Sequence, residues 1–447
     1  MVALARGPAA SADEVVVRSP VMSRSLRGLD WLNFFVANFQ TGFGPFISVY
    51  LTGAGWTQGA IGAALSVGTI AGMVSQVPGG AFTDAVRNKR WAIAGAITAT
   101  MVSALLIALW PNLLSIGLAE ILHSFAASVM NPAIAALSLA LVHPSVFGER
   151  LGRNARFAAI GNAVAAGLMG LCGSYLSDRA VFFVTASLCL PGLAALAAIR
   201  KEDLGRFSPQ QILVLTPAAQ FSARSWQFLR DRKFITYFIC ACLFHVANAA
   251  MLPIAAGMVT KRAGTDASAL IAACIVGPQV VTALISPWAG RAAERWGRRP
   301  MLVLGFSALP IRAALLAAIP SPYLIILIQL FDGLGAAVFG VLTPLVVSDI
   351  TRDTGRYTTS LGIIGLAIGG GATLSTTAAG LVADHLGAAA AFLSLAAVGL
   401  GATLLVGTLM PETRPPAITP PPSAERAGFP AFRVRPEARD RQGGHVP

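Results

Sequence analysis

Charge is what this 447-residue chain has least of: 12% of its residues are Asp, Glu, Lys or Arg, against about a quarter in soluble domains. With 55% hydrophobic residues and a mean hydropathy of +0.68, an ordinary soluble globule is excluded. Cysteine is scarce as well. Cys172, Cys189, Cys240, Cys242 and Cys274 all fall in apolar runs and read as core residues. Cys240-Ala-Cys242 has no histidine or second pair placed to complete a zinc site, so no metal is expected. A glycine-rich phosphate loop, paired metal-binding acids and a nucleophile elbow are all missing. That argues against an enzyme and against ATP-driven transport, and no cofactor is expected. The first 28 residues lack a continuous apolar stretch and contain Asp13 and Glu14, so no cleaved signal peptide is expected. The net charge of +13 would suggest nucleic acid in a soluble protein. Here the basic residues sit in short loops and tails, where they set topology instead.

Apolar segments near 20 residues recur from end to end, each able to cross a hydrocarbon core of about 30 Å as a helix. Lipid tolerates no unpaired backbone, which leaves helices or closed barrels. Barrel strands would alternate polar and apolar residues over about 10 positions, and these runs do not. The chain reads as an all-α polytopic membrane protein with twelve transmembrane helices. Six run over 31–51, 57–78, 91–110, 113–142, 155–177 and 180–199; six more over 234–260, 266–289, 300–319, 322–348, 358–382 and 387–409. The predicted organisation is a disordered tail at 1–29, a six-helix bundle at 30–199, a basic linker at 200–233, a second bundle at 234–410 and a proline-rich disordered tail at 411–447. All but four of the 33 lysines and arginines fall on one side. Arg179, Lys261 and Arg262 lie on the other, and Arg312 lies within a span. The positive-inside rule then makes both termini and the linker cytoplasmic, in a bacterial inner membrane. An excess of arginine over lysine fits a GC-rich bacterial genome.

Two loops carry a pattern. Gly290-Arg-Ala-Ala-Glu294-Arg295-Trp-Gly297-Arg298-Arg299 joins spans 8 and 9, and Gly80-Ala-Phe-Thr-Asp84-Ala-Val-Arg87-Asn-Lys89-Arg90 joins spans 2 and 3. Gly80 maps to Gly290, Asp84 to Glu294 and Lys89 to Arg299, all 210 residues apart. Gln40 and Pro45 map to Asn248 and Pro253 at 208, and Glu120 and His123 to Gln329 and Asp332 at 209. Gly152-Arg153 at the start of span 5 matches Gly355-Arg356 at the start of span 11, with Gly161 set against Gly365, at offsets of 203 and 204. Two copies of one six-span unit account for all of this. Glycines crowd spans 5 and 11, where small residues let helices approach closely in lipid.

A twelve-span duplicate with Gly-x-x-x-Asp/Glu-Arg-x-Gly-Arg-Arg after spans 2 and 8 resembles the major facilitator superfamily, from about residue 30 to 414. The second loop matches closely. The first departs, with Ala85, Arg87 and Asn88 at motif positions. Pro411-Glu412-Thr413-Arg414 is similar to a Pro-Glu-Thr motif of sugar porters and some exporters, and does not select sugar. The resemblance implies two pseudo-symmetric six-helix bundles that rock about a cavity lined chiefly by spans 1, 4, 7 and 10. It also implies a cytoplasmic gate from Gly80, Asp84, Lys89, Arg90, Arg153, Gly290, Glu294, Arg295, Gly297, Arg298 and Arg299. In that gate each acid meets helix ends of the opposite half, a contact of about 0.3–1 kcal/mol or more when buried. The plainer alternative is that the arginines only set topology.

Polar groups inside spans are costly and usually functional. Glu120, His123 and Asn131 share a face of span 4; Gln329 and Asp332 share the equivalent face of span 10. His245 and Asn248 lie one turn apart in span 7, and Asn33 and Gln40 two turns apart in span 1. Interhelical hydrogen bonding is the bland reading of these groups. A substrate and proton pathway is the sharper one, since carboxylates near histidines in low dielectric suit a proton relay. Arg312 either snorkels outward or pairs with an acid, and Asp30 reads as a residue at the start of span 1. The expectation is a monomeric secondary transporter that exports a small organic molecule, coupled to protons. Uptake of a sugar or metabolite is the alternative, and a non-transporting membrane sensor the third. Reporter fusions after Arg200 and after Met410 should both report cytoplasm; a periplasmic signal at either overturns the twelve-span topology.

Overall fold

The computed structural model describes residues 20–206, 223–263 and 267–415. The tail stretches 1–19 and 416–447 and the linker stretch 207–222 lie outside the described residues. Fourteen α-helices are found among the described residues. The first six spans are α1 (Pro20–Thr41) with α2 (Gly44–Gly53), α3 (Gln58–Ala85), α4 (Lys89–Leu109), α5 (Leu113–Leu141), α6 (Phe147–Tyr175) and α7 (Asp178–Ala197). The second six are α8 (Arg232–Asn248) with α9 (Met251–Ala263), α10 (Ala267–Trp296), α11 (Arg298–Ala318), α12 (Pro322–Ile350), α13 (Tyr357–Leu386) and α14 (Ala388–Leu409). Eleven stretches among the described residues are long and apolar enough to cross a bilayer, and the broken α1–α2 pair makes the twelfth span. Helix α1 starts at Pro20, inside the stretch expected to be tail, and the 3-10 turn Ala223–Arg230 leads into α8 where linker was expected.

Local chemistry sets the boundaries. Thr57, Asn88, Asn112, Ser177 and Asp231 each accept a backbone N–H of the following first turn, so the short polar loops double as N-caps. Two junctions are tighter. Gly297 alone separates α10 from α11 at φ +101°, and Gly387 alone separates α13 from α14 at φ +86°. A side chain disfavours that region of backbone space, so glycine is required there. The spans predicted as single helices at 31–51 and 234–260 are interrupted instead. They break at 42–43 and at 249–250, just after Gln40 and Asn248, at equivalent places in the two repeats.

The two repeats meet along two seams, α3 against α13 and α10 against α6, and glycine makes both possible. A Cβ on Gly80 would collide with the Thr358 carbonyl, and one on Gly362 with that of Gln76. Likewise Gly290 lies on the Gly148 carbonyl and Gly152 on that of Ser286. Within each repeat, Gly161 lies on the Phe34 carbonyl as Gly371 lies on that of Cys242. These pairs correct the expected register of span 11. Gly152 corresponds to Gly362 and Gly161 to Gly371, at the same offset of 210 as the loops, and not to Gly355 and Gly365. Counting glycines from the helix start misled because span 11 is glycine-rich at several spacings. The contact glycines should be separable from the idle ones. Gly161→Ala must displace the α1 backbone and should lower the melting temperature of the purified protein by a few degrees. Gly167→Ala, in open space, should leave it unchanged.

Candidate functional site

The arginine-rich end is closed by carboxylates placed on helix N-termini. Asp84 sits in the last turn of α3, against the unfavourable end of its own dipole. Its oxygens reach the first turn of α13: Oδ1 accepts the Thr358 N–H at 3.1 Å, and Oδ2 accepts the Thr359 N–H at 2.8 Å and hydroxyl at 2.6 Å. The Thr358 hydroxyl lies 2.5 Å from Oδ1 and 2.8 Å from the Gly80 carbonyl oxygen. The side chain is 4% exposed. Lys89 stays in its own repeat and closes the end of α3, donating to the carbonyls of Thr83, Asp84 and Val86 at 2.5, 3.2 and 3.0 Å. Arg90 Nε meets no hydrogen-bond partner among the described residues.

In the second seam the motif acid makes fewer bonds across the repeats and more within its own. Glu294 Oε1 accepts the Gly148 N–H at the start of α6 at 2.9 Å, and its other oxygen pairs with Arg298 at 2.9 Å. Arg298 Nη1 also donates to the Ala293 carbonyl at 2.8 Å, and Nε pairs with Asp349 at 2.9 Å. Arg298, and not Arg299, thus performs the service that Lys89 performs in the first loop. Arg299 reaches the Gly407 carbonyl in α14, and Arg295 is exposed. Glu412 accepts the N–H groups of Arg298 at 2.8 Å and Arg299 at 3.1 Å, and that of Arg414 at 2.9 Å. Burial would raise its carboxyl, but these three donors and the Arg298 charge hold it below the ordinary glutamate value. Gly297 is glycine a second time over, because a Cβ there would press on Glu412. Arg153, expected in the gate, turns to its own repeat. Its guanidinium clamps Asp30 at 2.7 Å beside Arg150, which also pairs with Asp30. Asp30 is therefore a buried counter-ion rather than a helix-start residue.

Above this layer lies a cavity of about 250 Å³ between α1, α5, α6 and α12. Asn33, Gln40 and Asn131 line it as expected; Asn154 and Asn162 complete a ring of five amides, and Gly340 faces them from α12. Asn154 accepts from Arg150 Nε at 2.9 Å, which ties the cavity wall to the Asp30 cluster. Asn162 accepts from Thr41 at 3.1 Å and donates to Gln279 of the other repeat at 3.4 Å. Gln40 Nε2 is buried with no hydrogen-bond partner among the described residues. Glu120 and His123 do not line this cavity. Glu120 lies flat on Gly68 of α3, and the His123 ring stacks on Phe43 with centroids 3.7 Å apart. A shared helix face is not a shared depth, since 11 residues of helix separate Glu120 from Asn131 by about 16 Å.

In the second repeat the polar groups converge on one arginine. Arg312, 1% exposed in α11, donates to Gln329 at 2.8 Å, Asn248 at 2.6 Å and Asp332 at 2.6 Å. Sequence left Arg312 between snorkelling and pairing, and it pairs. Asp332 is accordingly half of an ion pair. His245 stands beside this cluster, with Nδ1 3.1 Å from the Ala241 carbonyl oxygen and its ring 4.9 Å from that of Phe339.

The model of the Major Facilitator Superfamily matches this chain twice, over residues 29–277 and 238–441. The chain belongs to that superfamily. An "Uncharacterized MFS-type transporter" of Mycobacterium tuberculosis is 37% identical over 404 residues, 88% of this chain and 94% of that protein. A "Multidrug resistance protein B homolog" of the same organism is 28% identical over 151 residues, 33% of this chain and 27% of that protein. As a superfamily member the chain is a multi-pass membrane transporter. The motif alone ranks Glu294 at least equal to Asp84, because its loop is more complete. The hydrogen bonds reverse that order. Asp84→Asn should open the arginine-rich end more than Glu294→Gln, read as a larger gain in labelling of cysteines placed along the α3–α13 and α6–α10 seams. Equal labelling in both variants and the parent would reduce the loops to topology signals.

Proposed function

We propose that the protein exports a small amphipathic or weakly polar organic molecule from the cytoplasm, driven by proton entry. The observation that supports this best is the cavity. Five amides stand among apolar walls with no charged side chain, which suits cargo that forms a few hydrogen bonds and buries apolar surface. The name of the second relative, a multidrug resistance protein homolog, favours efflux. The Asn33, Gln40 and Asn131 side chains then contact cargo, and the motif loops with both termini face the cytoplasm of the inner membrane. The partners are the cargo, protons and lipid, and one chain works as a monomer of two six-helix bundles.

The coupling group is the Arg312–Asp332 pair. A proton on Asp332 dissolves the pair and leaves Arg312 to Asn248 and Gln329, which changes how α11, α12 and α8 are held together. Removing only the carboxylate strands a buried guanidinium, a loss of about 3–5 kcal/mol in comparable pairs. The test therefore needs two variants, Asp332→Asn and the paired Arg312→Gln/Asp332→Asn, in everted and right-side-out vesicles with a panel of lipophilic dyes. Both variants should lose accumulation driven by a pH gradient, while the paired variant keeps passive exchange. Parental accumulation by the paired variant would remove the pair from coupling. Accumulation in right-side-out vesicles alone would turn the reading to uptake.

A further inference from the structure

We infer that the cargo carries a neutral edge in which an N–H stands beside a carbonyl, as in a lactam, imide or primary amide, and that the Asn131 carboxamide reads it. The inference rests on the amide-lined cavity being the cargo site, and it names the chemistry that this site selects. Three of the five amides are already engaged by the protein. Asn154 accepts from Arg150 at 2.9 Å and donates to the Ser138 hydroxyl at 2.7 Å. Asn162 accepts from Thr41 at 3.1 Å and donates to Gln279 at 3.4 Å. Asn33 donates to the Leu29 carbonyl of its own helix at 2.7 Å, which leaves its oxygen to the cavity. No side-chain hydrogen bond holds Asn131 or Gln40 among the described residues.

A free carboxamide offers a donor and an acceptor side by side. It pairs through two hydrogen bonds with a group that presents the same two in reverse order. Asn131 is exposed where it lines the cavity. Gln40 Nε2 is buried without an acceptor, a deficit that a further oxygen on the cargo would answer. The duplication leaves room for such a group. At the offset of 209 that relates spans 4 and 10, Asn131 becomes Gly340, and both line the cavity. A Cβ on Gly340 would meet nothing within 4 Å, so the second repeat supplies open space where the first supplies the amide. A volume of about 250 Å³ is small beside the roughly 300–1,000 Å³ of most ligand sites, which limits the group to something compact. Formal charge is selected against, because no charged side chain lines the cavity and a lone ion would find no counter-charge there.

Equilibrium dialysis of the purified full chain tests this with three flat bicyclic probes. Carbostyril has a lactam with both groups, N-methylcarbostyril keeps only the carbonyl, and N-methylquinolinium is a cation with neither. The parent should bind carbostyril about tenfold more tightly than its N-methyl derivative, and the cation not at all. Asn131→Leu should remove that preference by weakening carbostyril to the level of N-methylcarbostyril. Gly340→Val keeps every amide and fills the open space, so it should weaken both neutral probes. Melting temperatures of the unliganded variants separate lost binding from lost folding. Equal binding of the two neutral probes by the parent overturns the inference, as does tighter binding of the cation or no binding of carbostyril. So does a parental preference in a folded Asn131→Leu protein, or parental affinity in a folded Gly340→Val protein. Dialysis senses neither direction nor protons, so its failure is distinct from failure of the exporter reading. A carbostyril preference without accumulation in vesicles would remove the exporter and support the inference.

Discussion

A carboxylate shielded from water needs protein donors in place of the water it has lost, and at three points this chain supplies them from the first turns of helices. Asp84 rests on α13, Glu294 on α6 and Glu412 on α11. Each supplies an anion to N–H groups that no helical carbonyl can satisfy, so two deficits cancel in one contact. The glycines follow from the same geometry. Such contacts reach across the repeats only when the helix axes come close enough for backbone to touch backbone, as at Gly80, Gly290, Gly152 and Gly362. Charge placement and close packing are one constraint seen twice.

The duplication is preserved where the repeats meet and has diverged where they hold polar groups. Through the seams the correspondence is strict at 210 residues. Inside, Glu120 is replaced by Gln329 and His123 by Asp332, and only the second repeat has an arginine to answer its acid. The first repeat keeps its ion pairs low, at Asp30 with Arg150 and Arg153, and surrounds its cavity with amides. One half is thus lined by neutral dipoles, the other cross-braced by a buried charge pair.

Much of this was legible in the sequence, because bilayer thickness fixes span length and the motif loops fix the register of the repeat. Asn33, Gln40 and Asn131 were legible as cavity residues because the superfamily resemblance places spans 1 and 4 around the cavity. The Arg312 pairing was only half visible: a charge in a span requires a partner, but sequence spacing cannot say which of several helices supplies it. Asp349 and Glu412 escaped for the same reason, since their partner Arg298 lies 51 and 114 residues away. Glu120 and His123 were misplaced because helical periodicity reports azimuth and not height. The breaks at 42–43 and 249–250 carried a weak signal in Pro45 and Pro253, which a count of apolar residues passes over.

The single-glycine junctions carry a mechanical meaning. One residue between α10 and α11, and one between α13 and α14, leaves no length of chain to absorb a change of angle. Gly297 is further pinned by Glu412. Any change of angle within either helix pair therefore falls on the φ and ψ of a single glycine. Compliance is left to the interrupted spans, α1–α2 and α8–α9, whose two segments can tilt separately. One interruption follows Gln40 at the amide-lined cavity, the other Asn248 at the Arg312 cluster.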